Sequence, residues 1–101
     1  MKIFADIKAE SFEDHAFGSM IGAFVGDSMG SLVEFIECAV PDERLDEVME
    51  MPGGGPHKVG PGQITDDSEM AMAMMWALTR KEKKLEDGVA QINMNEMAYF
   101  Y

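Results

Sequence analysis

Residues 52–64 read PGGGPHKVGPGQI, and this stretch constrains the fold more than any other. Proline withholds a backbone donor and glycine loses the most conformational entropy on ordering, so neither a helix nor a strand ladder is sustained across it. The chain of 101 residues therefore organises as regular segments on either side of a long connection. A connection of this length inside a small domain is itself a mark of function. One small domain is all that 11.2 kDa allows.

On the N-terminal side, Phe17, Met20, Ile21, Phe24, Val25, Met29 and Leu32 follow the i, i+3, i+4 rhythm of an amphipathic helix. Gly18, Gly22, Gly26 and Gly30 form a second stripe beside it, which predicts close approach of another backbone. Each glycine costs about 1 kcal/mol against alanine in a helix, and tight packing is expected to offset that. Pro41 suits the first turn of a second helix, with Leu45, Val48 and Met49 as its narrow apolar stripe. Beyond the loop, Thr65, Asp66 and Asp67 are capping candidates, and Asp66 with Glu69 has capping-box spacing. Met70, Ala73, Met74, Ala77 and Leu78 carry the helical period there, while Met72, Met75 and Trp76 fill the other faces and predict burial nearly all round. Arg80, Lys81, Lys83 and Lys84 stand where a helix dipole favours cations. Asp87–Gly88 signals a turn, and Val89–Tyr101 is expected to form a last helix. No segment reads as a strand.

Eight Lys plus Arg against nineteen Asp plus Glu give a net charge of −11. That field repels phosphate backbones and anionic lipid and attracts cations, which argues against nucleic-acid and membrane-surface partners. The apolar run Ala16–Val33 contains Asp27, whose ionised carboxylate would cost about 2.5–3.5 kcal/mol at mid-bilayer, so a membrane span is not expected. The acidic N-terminal segment does not read as a signal peptide. A single Cys38 excludes an internal disulfide and is expected to be a small buried residue. With eleven Met and no disulfide framework, the composition suits a reducing, cytoplasmic setting.

Three oxygen-bearing side chains, Thr65, Asp66 and Asp67, stand together after the loop. Hard cations such as Mg²⁺ or Mn²⁺ choose such ligands. The helix dipole opposes a cation there, so further acidic ligands are needed from elsewhere. By spacing, the same residues also read as an N-cap with helpful acids. The loop backbone, with His57 and Lys58, could form an anion nest, but it lacks the ending of a P-loop. Glu34 alone reads as an ordinary exposed carboxylate and His15 as structural.

GAFVGDSMGSLVEF at 22–35, followed by MPGGGPHKVGPGQITDDSEMAMAMMWAL at 51–78, resembles the N-terminal part of the bacterial-type ADP-ribosylglycohydrolases, which include the dinitrogenase reductase-activating glycohydrolases. The resemblance implies an all-α fold: about four helices and the long Gly/Pro loop, with residues 1–101 as one partial domain. It implies metal-dependent hydrolysis of the glycosidic bond between ADP-ribose and a protein side chain. It also implies a centre of two Mg²⁺ ions, with Mn²⁺ as an alternative, ligated in part by Thr65, Asp66 and Asp67. Glu34 matches a glutamate at the family's site entrance, in a gating or catalytic role, and Asp27 matches a supporting position. The family's second ligand cluster, D-x-D-[ST], has no counterpart in these residues, so this chain is expected to be inactive by itself unless a complementing chain supplies it. The substrate is expected to be an ADP-ribosylated protein or an ADP-ribose-containing small molecule. Two other classes remain open: a non-catalytic remnant that binds ADP-ribose or a partner, and a small acidic Met-rich interaction module.

Overall fold

A computed structural model describes residues 6–79, 85–86, 89–90 and 94–100. Helix α1 spans Phe12–Gly30, a 3₁₀ turn spans Asp42–Arg44 and leads into α2 at Leu45–Met49, and α3 spans Asp66–Thr79. A two-residue antiparallel ladder, β1 (Leu85–Glu86) with β2 (Val89–Ala90), precedes α4 at Met94–Phe100. The fold is the expected all-α one, with that ladder as a minor departure. Val89 and Ala90 pair with Glu86 and Leu85 instead of opening the last helix, for which the described residues give Met94–Phe100. The cationic run 80–84 and the turn signal at Asp87–Gly88 lie outside the described residues. No helix among the described residues is long and apolar enough to cross a membrane.

The chain divides into two compact units, Met1–Thr65 and Asp66–Tyr101. In the first, α1 starts where its capping chemistry says it should. Ser11 has extended backbone and its hydroxyl accepts the Asp14 amide at 3.2 Å, while Asp14 returns a carboxylate to the Glu10 amide at 2.9 Å. Glu13 and Asp14 also complement the positive end of the dipole. Helix α1 ends as the Ser31 amide donates to the Asp27 carbonyl at 3.1 Å.

The expected apolar face of α1 is only partly covered. Phe17, Phe24, Met29 and Leu32 are half-buried, whereas Met20, Ile21 and Val25 are exposed. The glycine stripe corrects the close-approach expectation: a Cβ on Gly18, Gly22, Gly26 or Gly30 would meet nothing within 4 Å among the described residues. Val48 of α2 is buried, while Leu45 and Met49 stay exposed.

The Gly/Pro loop is ordered by its own hydrogen bonds. Gly54 and Val59 exchange amide-to-carbonyl bonds of 2.8 and 3.3 Å, and the Lys58 amide closes on the Gly55 carbonyl at 3.1 Å. This makes a small hairpin with Pro56 and His57 at its tip. Gly55 has φ +64°, and a Cβ there would overlap the carbonyl oxygen of Ser31. The loop therefore folds back against the end of α1, and only glycine permits the approach.

In the second unit α3 and α4 pack on each other. Ala73 and Ala77, four residues apart, share a buried flank of α3. Burial all round is not found: Met70, Met72, Met74 and Trp76 are exposed. Helix α3 opens at Asp66, so Asp66 lies inside the first turn and does not cap it from outside as the capping-box spacing required.

Candidate functional site

Asp27 lies one turn before the end of α1, and Thr65 is the last residue before α3. They meet across 38 residues of sequence: the Thr65 amide donates to Asp27 Oδ2 at 2.8 Å, and the Thr65 hydroxyl donates to Asp27 Oδ1. Both carboxylate oxygens thus receive a donor from one residue. Thr65 is 5% exposed and Asp27 half-buried, so the pair is withdrawn from bulk water. Charge-assisted bonds of this kind contribute about 1.5–3 kcal/mol each. The Thr65 hydroxyl spends its proton on Asp27, which leaves its oxygen lone pairs as acceptors.

The next two residues, Asp66 and Asp67, are the first of α3 and are exposed. Their carboxylates and the Thr65 hydroxyl are the hard oxygen donors that a divalent cation takes. As a donor set for such an ion they fit, but they are a partial set. Among the described residues no group of three or more His, Cys, Asp or Glu comes together to hold a metal.

Glu34 follows α1, and its Oε2 lies 2.9 Å from His57 Nε2, each side chain about a third exposed. The Phe35 ring sits 6.2 Å from the imidazole at a tilt of 45°. Glu34 is therefore held by the loop hairpin and does not stand free in solvent, as its sequence setting suggested. His57 is the residue that sequence reasoning missed in this role. Nothing in the local sequence couples positions 34 and 57; the hairpin closed by Gly54 and Val59 does so.

Three further expectations change. The anion nest finds little support, because the amides of Gly54, Lys58, Val59 and Gly60 are already donated to loop acceptors. Cys38 is exposed, since it lies in the irregular segment after α1 and not on a packed face. His15 is on the exposed surface of α1. Beside Asp27, Ser28 is 4% exposed and its hydroxyl has no hydrogen-bond partner among the described residues, while its carbonyl accepts the Ser31 hydroxyl at 2.8 Å.

Comparison with known proteins bears on this arrangement. The family model for ADP-ribosylglycohydrolase matches residues 8–99. The chain is 39% identical over 71 residues to an ADP-ribosyl-[dinitrogen reductase] glycohydrolase of Rhodospirillum rubrum, a match covering 70% of this chain and 24% of that protein. It is 39% identical over 61 residues to the ADP-ribosylarginine hydrolase Tri1 of Serratia proteamaculans, covering 60% of this chain and 15% of the relative. A putative ADP-ribosyl glycohydrolase of Acanthamoeba polyphaga mimivirus is 39% identical over 67 residues, covering 62% and 20%. The chain thus spans about a quarter or less of the curated relatives it matches. No solved structure matches it.

Proposed function

The chain belongs to the ADP-ribosylglycohydrolase family, and from this premise we propose that it carries part of the site of a metal-dependent hydrolase that removes ADP-ribose from modified protein side chains. The observation that carries the reading is the Asp27–Thr65 clamp, which fixes the backbone immediately before Asp66 and Asp67. Thr65, Asp66 and Asp67 would hold Mg²⁺, or Mn²⁺ in its place, and two ions are expected in a complete site. Bound there, the metal supplies Lewis acidity that orients ribose hydroxyls and a water. Asp27 is a positioning residue: it accepts both Thr65 protons and turns the remaining lone pairs of that hydroxyl toward acceptor work. Glu34 acts as gate or catalytic group at the site entrance, and His57 holds its carboxylate in place.

The substrate class is an ADP-ribosylated protein, in keeping with relatives named for ADP-ribosylarginine and for dinitrogen reductase. Arginine is the acceptor that the Tri1 name prints. The 101 residues contain no D-x-D-[ST] segment, so the partial donor set is expected to bind metal weakly and to leave this chain inactive unaided. Calorimetric titration with Mg²⁺ and Mn²⁺, paired with turnover of an ADP-ribosylarginine peptide, tests both statements. Weak binding without turnover is expected; micromolar metal binding with turnover would overturn the inactivity, and Asp66→Ala with Asp67→Ala must abolish whatever metal binding is seen.

A second reading has one observation in its favour. The exposed methionines and tryptophan of α3 suit an interaction module built on adaptable thioether side chains.

A further inference from the structure

Three contacts fasten the Gly/Pro loop to the end of α1 and the turn after it. Asp27, Ser31 and Glu34, at i, i+4 and i+7, meet Thr65, Gly55 and His57 respectively. The first two are inner contacts, a carboxylate shared between two donors and a backbone approach that only glycine permits. The third lies nearer the surface. His57 Nε2–H donates to Glu34 Oε2 at 2.9 Å, and each side chain is about a third exposed. An imidazole makes that bond either protonated or as its neutral Nε2–H tautomer. Hydration makes such a pair the weakest of the three fastenings. Strain also gathers at it. Phe35, directly after Glu34, has φ +61°, and Lys58, directly after His57, has φ +52°. Non-glycine residues hold that left-handed backbone only where their surroundings impose it. Each turn depends on the conformation: the Ile36 amide closes on the Val33 carbonyl at 3.3 Å, and the Lys58 and Val59 amides close on Gly55 and Gly54 at 3.1 and 3.3 Å.

We propose that the Glu34–His57 bond is a strained latch, and that the turn after α1 and the loop hairpin open together in one step when it breaks. The bond joins the two strained positions, so neither Phe35 nor Lys58 relaxes freely while it is closed. Once it is broken, both backbones gain by leaving the left-handed region, and the turn bonds of Ile36, Lys58 and Val59 are lost with them. The Asp27–Thr65 contact is the hinge of this motion and stays closed, because its two charge-assisted bonds are withdrawn from water. The Glu34 carboxylate is committed to His57 in the closed form and free in the open one. The latch therefore sets how much Glu34 is available at the site entrance, a consequence that rests on the role proposed for Glu34 above. The latch itself does not rest on that role.

The test is amide hydrogen exchange of the 101-residue chain, read residue by residue by NMR and corrected for intrinsic exchange rates. Glu34→Ala and His57→Ala are compared with the parent chain, with helical circular dichroism confirming that each is folded. Both variants should lower the protection of Ile36, Lys58 and Val59 several-fold and by one common factor, while Thr65 keeps its protection. The exchanged pair, Glu34→His with His57→Glu, should restore protection at all three. Lys58→Gly relieves one strained position without touching the bond, and should raise protection at Ile36 as well as at Val59. Unchanged protection in both alanine variants overturns the proposal. So does loss confined to one segment, which would make the two independent, and so does equal loss at Thr65, which would mean general unfolding. Lys58→Gly with equal or lower protection at Ile36 overturns it too. No metal or substrate is present in these measurements. The latch can therefore fail while the hydrolase reading stands, and that reading can fail in the metal titration while the latch stands.

Discussion

The carboxylate of Asp27 and the amide and hydroxyl of Thr65 form a polar contact across 38 residues within the first unit, and its worth is measurable. Thr65→Val keeps the shape and the amide but removes the hydroxyl, leaving Asp27 Oδ1 without that donor. Chemical denaturation should register a loss of about 1–3 kcal/mol, the usual cost of a half-buried charged group deprived of a partner. Asp27→Asn should cost a similar amount, and the double variant less than the sum, because both changes remove one interaction. Additive losses would mean that the two residues stabilise the fold separately. Little of this pair was legible beforehand. The TDD spacing marks Thr65, and the helical period puts Asp27 on α1, but a contact across 38 residues depends on how the loop returns the chain. The same holds for Glu34 and His57, which local sequence leaves as an exposed acid and a loop histidine.

Glycine works in opposite senses on two elements. Within α1, Gly22 meets nothing within 4 Å, so Gly22→Ala should stabilise the isolated chain by about 1 kcal/mol through helix propensity. In the loop, Gly55 has φ +64° and presses on the Ser31 carbonyl, so Gly55→Ala should destabilise by about 1–3 kcal/mol through backbone strain and overlap. Thermal melts of the two variants followed by circular dichroism should move in opposite directions. These elements were largely readable as elements. Apolar periodicity marked α1 and α3, and the Pro/Gly density marked the loop between them. What periodicity does not carry is the identity of the neighbour. The stripe of Met20, Ile21 and Val25 has the pattern of a buried face, yet these side chains stand exposed. A hydrophobic period states that a face can be buried; the burial itself needs a second surface.

At the scale of the molecule, nineteen acidic against eight basic side chains make self-repulsion a standing cost of compactness. Raising ionic strength from about 0.01 to 0.15 M shortens the screening length from roughly 30 to 8 Å. The melting temperature of the isolated chain should rise over that interval, with NaCl and KCl equivalent. A further rise specific to MgCl₂ at matched ionic strength, absent after Asp66→Ala and Asp67→Ala, would report cation binding at the start of α3. Trp76, exposed on α3, gives such work a spectroscopic handle. The chain has a single indole, so its ultraviolet emission comes from one known position. A water-facing indole emits toward the red and is open to collisional quenchers; once covered, it shifts to the blue and is shielded. Mixing, dilution and unfolding can therefore each be followed in native, label-free protein as the optical history of one side chain.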